Sequence, residues 1–168
     1  IVVPAFLKLL KAGIENELEK APKVAKAIFK VIYNLAAIMP LWMKKKVFKK
    51  IHDKFGGHFM GCITGGAPLD VEVGKFFERI GIKVYQGYGL SETSPVVAVN
   101  YDKRDVIASV GRPLPHFEAR VDAETGELQL RGPSIMKGYH NQPELTAEVI
   151  DEDGWLHTGD IARIDEDG

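Results

Sequence analysis

The 168-residue chain has the length of one ordinary domain or of a slice from a larger one. Its 45% hydrophobic and 27% charged residues exclude a disordered or fibrous polypeptide. The formal charge of -1 excludes a strongly polarised partner, although residues 1–60 hold twelve lysines, no arginine and four acids. That front part carries a formal +8 and leaves -9 for the remainder, which points to two structural units with different surroundings. Lysines without arginine beside an acidic remainder argue against a nucleic-acid partner.

Pro4 stands where a proline starts a helix, and Phe6, Leu7, Leu10, Ile14 and Leu18 follow at three- and four-residue steps. Pro22 restarts the pattern through Val24, Ala27, Ile28, Val31, Ile32, Leu35 and Ile38, and Pro40 ends it. A third amphipathic segment from residue 41 places Leu41, Val47, Ile51 and Phe55 inward and its lysines outward, and Gly56-Gly57 stops it. Residues 1–56 therefore read as three helices with a basic surface concentrated on the third. The apolar run 27–43 is interrupted by Lys30 and Pro40 and is too short for a membrane span.

From Gly57 the pattern changes. HFMGCIT reads as a short buried strand, GGAPLD as a turn, and Asp70 as the N-cap of a helix over VEVGKFFERI that Gly81 closes. IKVYQ is the next strand, so residues 57–100 read as a βαβ unit. Beyond residue 100 the segments HFEARVD and GELQLRG form a hairpin around Ala123, Glu124 and Thr125. PELTAEVI is the only later helix, and WLHTGDIARID supplies further strands. The expected fold is α/β, part of an open, mostly parallel sheet with flanking helices, followed over 101–168 by a small β-rich subdomain.

Cys62, the single cysteine, rules out an intrachain disulfide, reads as a small buried hydrophobe and predicts a reducing, cytoplasmic setting. The first residues show no charged leader with a cleavage site. A strand-like opening without methionine and a turn signal at 164–168 without a return strand make both ends read as cuts.

Three stretches can carry chemistry. Gly65 and Gly66, followed by Ala67 and Pro68, form a loop after a strand whose backbone can approach a flat ligand. Taken alone, that motif reads first as an ordinary βα turn. The next strand ends in YQGYGLSE. There Tyr88 between Gly87 and Gly89 suits stacking on a nucleobase, and Ser91 can donate to a phosphate oxygen. Glu92 beside a phosphate makes sense if Mg²⁺ lies between them; otherwise it faces water. In GWLHTGD, Asp160 has two oxygens for the vicinal hydroxyls of a ribose, or is a plain turn aspartate. His157 has no nucleophile partner and reads as a packing or solvated residue.

Together and in this order, GGAPL at 65–69, YGLSE at 88–92 and GWLHTGD at 154–160 resemble the adenylate-forming, AMP-producing acyl-CoA synthetase family. SVGRPLP at 109–115 and ELQLRGPSIMKGYHNQPELTAEVI at 127–150 are also similar to it. The lysine-rich helical stretch resembles, more weakly, the long-chain fatty acid–CoA ligase branch, and this resemblance implies that the small β-rich subdomain over 101–168 is a distorted barrel. The resemblance implies that a fatty acid and Mg-ATP give acyl-AMP and pyrophosphate, and that coenzyme A then takes the acyl group. It places Gly65, Gly66, Ala67, Pro68, Gly87, Tyr88 and Gly89 on adenine. Ser91, where threonine is usual, falls on a phosphate, Glu92 on Mg²⁺ and Asp160 on the ribose.

The family's phosphate loop, ribose-binding arginine, hinge and lysine-bearing lid have no counterpart in these 168 residues. The chain therefore reads as an internal fragment with little or no ligase activity alone. Two other readings stand beside this one. The first is an adenylate-forming enzyme for an aryl or amino acid. The second is a non-catalytic nucleotide-binding or membrane-surface module, touching lipid peripherally through Lys44, Lys45, Lys46, Lys49 and Lys50 beside Trp42 and Phe48.

Overall fold

The computed structural model describes residues 2–100 and 107–166. The first residue of the strand-like opening, residues 101–106 of the expected β-rich subdomain and the last two residues of the turn signal lie outside the described residues. Two compact units divide the chain, Ile1–Gln86 with Asp105–Ser109, and Gly87–Arg104 with Val110–Gly168.

The first unit begins with helices α1 (Pro4–Glu19), α2 (Lys23–Leu35), α3 (Leu41–Val47) and α4 (Lys49–Lys54). Pro4 opens α1 in its first turn, which does not need the missing N–H, and Pro22 and Pro40 stand at the N-cap positions of α2 and α3. The expected third helix is two helices. Phe48 breaks it with φ -98° and ψ 22°, turning its buried ring inward to meet Phe29 edge-on at 5.7 Å. With Phe48 taking the inward position, Leu41 and Val47, expected inside, stay exposed.

Strand β1 (Gly61–Thr64) and strand β2 (Lys83–Tyr88) pair in parallel, with Thr64 opposite Gln86. Helix α5 (Val71–Arg79) connects them and supplies the long crossover that parallel pairing requires. Asp70 caps α5 as expected, its Oδ1 accepting from Glu72 N at 2.9 Å. The buried face of α5, Val73, Phe76 and Phe77, joins Leu7, Phe48 and Ile82 in the core. Cys62 in β1 is half-buried, and burial pushes its thiol up from the ordinary range.

In the second unit the end of β2 pairs antiparallel with β3 (Ala98–Val99), and β3 pairs antiparallel with β4 (Arg112–Pro113). The connection from Tyr88 to Ala98 is too short for a parallel crossover, so the chain must turn back. Strands β5 (Glu118–Val121) and β6 (Glu127–Arg131) form the expected hairpin. Asp122 Oδ1 ties its turn by accepting from Glu124 N, Thr125 N and Thr125 Oγ1 at 2.8–3.0 Å. After α6 (Pro143–Val149), strand β7 (Leu156–Ile161) returns antiparallel to β6. Trp155, buried just before β7, has the Arg120 and Arg131 guanidinium groups 4.1 and 4.6 Å from its ring centroid.

Two sequence expectations fail here. The strands are mixed in direction rather than mostly parallel. No sheet closes into a barrel: among the described residues β5, β6 and β7 form an open antiparallel sheet with β5 and β7 at its edges. WLHTGDIARID forms one strand rather than several, so too few strands exist for closure. Among the described residues no helix is long and apolar enough to cross a membrane.

Burial separates structural from exposed apolar positions sharply. Phe77, 1% exposed, should cost about 3–5 kcal/mol when replaced by alanine. Ile28→Ala, at a 53% exposed position on α2, should cost less than about 0.5 kcal/mol. Urea unfolding of the two variants measures the contrast, and equal losses would contradict the assignment of the core.

Candidate functional site

Tyr88 is not in a flexible loop between two glycines. It is the last residue of β2, with Ala98 as its pairing partner, and Gly87 is paired with Val99. Gly89 is required by the chain itself, because a Cβ there would stand 1.7 Å from the Pro95 carbonyl oxygen. That close approach folds the segment after Tyr88 tightly back onto the strand. The Tyr88 hydroxyl donates to Asp160 Oδ2 at 2.6 Å, across 72 residues of sequence. Burial and this hydrogen bond push the Tyr88 phenol well above its ordinary range, with Thr158 opposing part of the effect. Tyr88 is therefore a donor at any working pH.

Ser91, Glu92 and Thr93 form one 3₁₀ turn. Buried Thr93 holds it, its Oγ1 accepting from Leu90 N at 2.9 Å and lying within donor reach of the Leu90 and Pro95 carbonyls. Ser134 Oγ donates to Thr93 O and Met136 N donates to Glu92 O, both at 2.7 Å, so the turn is docked on residues 134–139. Ser91 is exposed, and its hydroxyl has no protein partner among the described residues. Glu92 is half-buried, and its Oε1 accepts from the Tyr139 hydroxyl at 2.9 Å. That carboxylate raises the Tyr139 phenol above its ordinary range.

Asp160 lies near the end of β7, where a bulge at Thr158-Gly159 is pinned to β6 from two sides. Thr158 Oγ1 donates to Leu128 O at 2.7 Å and accepts from Asp160 N at 3.2 Å. Glu127 holds the same bulge with both oxygens: Oε1 accepts from Gly159 N and Oε2 from His157 Nδ1, each at 2.9 Å. The Gly159 N–H, first, and His157 hold the Glu127 carboxyl below the usual range. His157, read from sequence as packing or solvated, is a hydrogen-bonding residue of this clamp.

Gly65, Gly66, Ala67 and Pro68 belong to the first unit, in the turn that follows β1. Gly66 has φ +79° with open space where a Cβ would stand, so its backbone conformation, not crowding, calls for glycine. Leu69 N donates to Gln86 Oε1 at 2.8 Å, tying this loop to the end of the parallel strand pair. Tyr139 and Glu127 are the residues that local pattern reading passed over. Both act through partners more than 30 positions away.

The AMP-binding enzyme profile matches residues 2–140, and the chain belongs to the AMP-binding enzyme family. It is 43% identical to a chloroplastic long-chain-fatty-acid–[acyl-carrier-protein] ligase of Arabidopsis thaliana, over 77% of this chain and 19% of the relative. It is 36% identical to a putative fatty-acid–CoA ligase of Mycobacterium tuberculosis, over 99% of this chain and 32% of the relative. The crystal structure of apo MatB from Rhodopseudomonas palustris superimposes with a TM-score of 0.60 at 34% identity, over 67% of this chain and 25% of that one. The chain thus spans less than a third of the length of these curated relatives.

The clamp has a pH signature. Because the folded Glu127 carboxyl lies below its unfolded value, its stabilisation is fully present above about pH 4.3 and is lost as pH falls through the folded value. Glu127→Gln should flatten the acid limb of a thermal-melting profile taken from about pH 6 to about pH 3. Glu118 and Asp122, also held low, should keep the remaining slope. An unchanged limb would remove the clamp from the energetics of the bulge.

Proposed function

We propose that this chain is the adenosine- and metal-facing part of an AMP-forming fatty acid–CoA ligase. In that reaction a long-chain carboxylate attacks the α-phosphate of ATP, giving acyl-AMP and pyrophosphate, and the thiol of coenzyme A then displaces AMP. The observation that carries the reading is the 2.6 Å hydrogen bond from Tyr88 to Asp160, which joins the YG motif to the TGD aspartate. Membership of the AMP-binding enzyme family and the likeness to fatty-acid ligases support the substrate class.

The roles follow from the chemistry of each group. The Tyr88 ring stacks on adenine. Asp160 gives one oxygen to Tyr88 and keeps Oδ1 for the ribose hydroxyls. Ser91 donates its unpartnered hydroxyl to a phosphate oxygen.

Glu92 fits Mg²⁺. Tyr139 occupies Oε1, and Oε2 has no protein partner among the described residues. No group of three His, Cys, Asp or Glu among the described residues could hold a metal unaided. That pattern suits an ion that takes one or two carboxylates and completes its shell with substrate phosphate oxygens. When bound, Mg²⁺ neutralises phosphate charge. Ser91 and Glu92 bring no positive charge of their own to the α-phosphate, so the 168-residue chain by itself is expected to show little or no ligase activity.

The test is palmitate-dependent exchange between ATP and pyrophosphate in the whole protein that carries this chain. Glu92→Ala should abolish exchange while leaving the circular dichroism spectrum unchanged; wild-type exchange would refute the metal role. Tyr139→Phe should raise the Mg²⁺ concentration for half-maximal exchange about tenfold, with the rate recovered at saturating Mg²⁺. A lowered rate at all Mg²⁺ concentrations would make Tyr139 merely structural. Preference for benzoate or an amino acid over palmitate would move the chain to another branch of the family.

A further inference from the structure

Where β7 runs along β6 the register breaks at one place. His157 pairs with Gln129 and Ile161 with Glu127, so Leu128 alone on β6 faces Thr158, Gly159 and Asp160 of β7. Such a bulge re-aims a side chain, and here it carries the Asp160 carboxylate that meets Tyr88. Gly159 stands at φ +72° with open space where a Cβ would be, a left-handed conformation that glycine enters and leaves with equal ease.

Backbone that leaves a ladder needs other acceptors for its N–H groups. Side chains provide them in this bulge. Glu127 Oε1 accepts from Gly159 N at 2.9 Å. Thr158 Oγ1 accepts from Asp160 N at 3.2 Å and donates to Leu128 O at 2.7 Å. Both ties end on β6, but only Glu127 grips the flexible glycine itself. Nor is Glu127 placed to take a ligand, because its Oε2 accepts from His157 Nδ1 at 2.9 Å and both oxygens thus face protein donors.

On the other side of Asp160, Tyr88 holds Oδ2 at 2.6 Å. With that oxygen held, a shift of the Gly159 backbone turns Oδ1. The two lone pairs of Oδ1 can accept from both hydroxyls of a vicinal diol only when the oxygen is well aimed. Adenine and phosphate make no such demand on it.

We propose that Glu127 is a positioning residue for ribose recognition. By holding the Gly159 N–H from β6 it sets the direction of Asp160 Oδ1, and so gives the site its preference for a nucleotide with both ribose hydroxyls. The proposal rests on the reading of Asp160 as the ribose ligand.

Isothermal titration of the whole protein with AMP and with 2′,3′-dideoxy-AMP, which keeps adenine and phosphate and lacks both hydroxyls, tests it. Asp160→Ala is the reference: it should weaken AMP binding and leave the dideoxy nucleotide unchanged. Glu127→Ala should weaken AMP about tenfold and dideoxy-AMP less than about twofold. Glu127→Asp, one methylene short of Gly159, should lose about fivefold on AMP alone, and it carries the comparison if the alanine variant does not fold. Glu127→Gln keeps an acceptor for Gly159 N and should bind AMP within about twofold of wild type. Equal losses for both nucleotides in the alanine and aspartate variants, unchanged AMP affinity in them, or a glutamine variant as weak as alanine would overturn the proposal and leave the ribose reading standing. If Asp160→Ala itself weakened both nucleotides alike, or neither, the ribose reading would fall and the positioning role with it.

Discussion

A tyrosine at the end of one strand and an aspartate near the end of another, 72 residues apart, share a hydrogen bond of 2.6 Å, and much of the second unit serves to hold its two ends. The bond joins a neutral donor to a carboxylate acceptor, the shorter and stronger kind of O–H···O contact. It persists only while Tyr88 keeps its proton, because a phenolate beside Asp160 would place two anions in contact. Burial and Asp160 itself raise the phenol and keep that proton in place.

Each partner is held from its own side. Tyr88 is fixed by pairing with Ala98 and by the tight return at Gly89, where no side chain fits beneath the Pro95 carbonyl. Asp160 is fixed by the Thr158-Gly159 bulge, which Glu127 and the Leu128 carbonyl grip from β6. The turn that carries Ser91 and Glu92 is held by the buried Thr93 hydroxyl and by the backbone of residues 134–136. Exposed groups with spare bonding capacity thus stand on rigid supports, as sites that recognise ligands require.

Much of this was legible in the chain wherever the governing interaction is local. Asp70 as a helix cap, the prolines that start helices and the hairpin turn closed by Asp122 each depend on side chains reaching a few positions away. The glycines on either side of Tyr88 were read as room for a ligand, yet Gly89 answers to the chain's own carbonyl, and Gly87 is a paired strand residue. The split at Phe48 was hidden because its lysine and apolar spacing fits one continuous helix until the core draws that ring inward. A barrel was expected from the family resemblance, but among the described residues WLHTGDIARID yields only β7. Glu127 and Tyr139 escaped notice because their partners, Gly159 and Glu92, are distant in sequence and no spacing rule links them.

AMP affinity, measured by isothermal titration in the whole protein with and without the Tyr88 hydroxyl, in both the Asp160 and the Asp160→Ala backgrounds, probes the joint action of the pair most directly. If the hydroxyl serves to orient the carboxylate toward ribose, Tyr88→Phe should weaken AMP binding about fivefold when Asp160 is present and have no further effect when it is absent. The same loss in both backgrounds, or no loss in either, would contradict it.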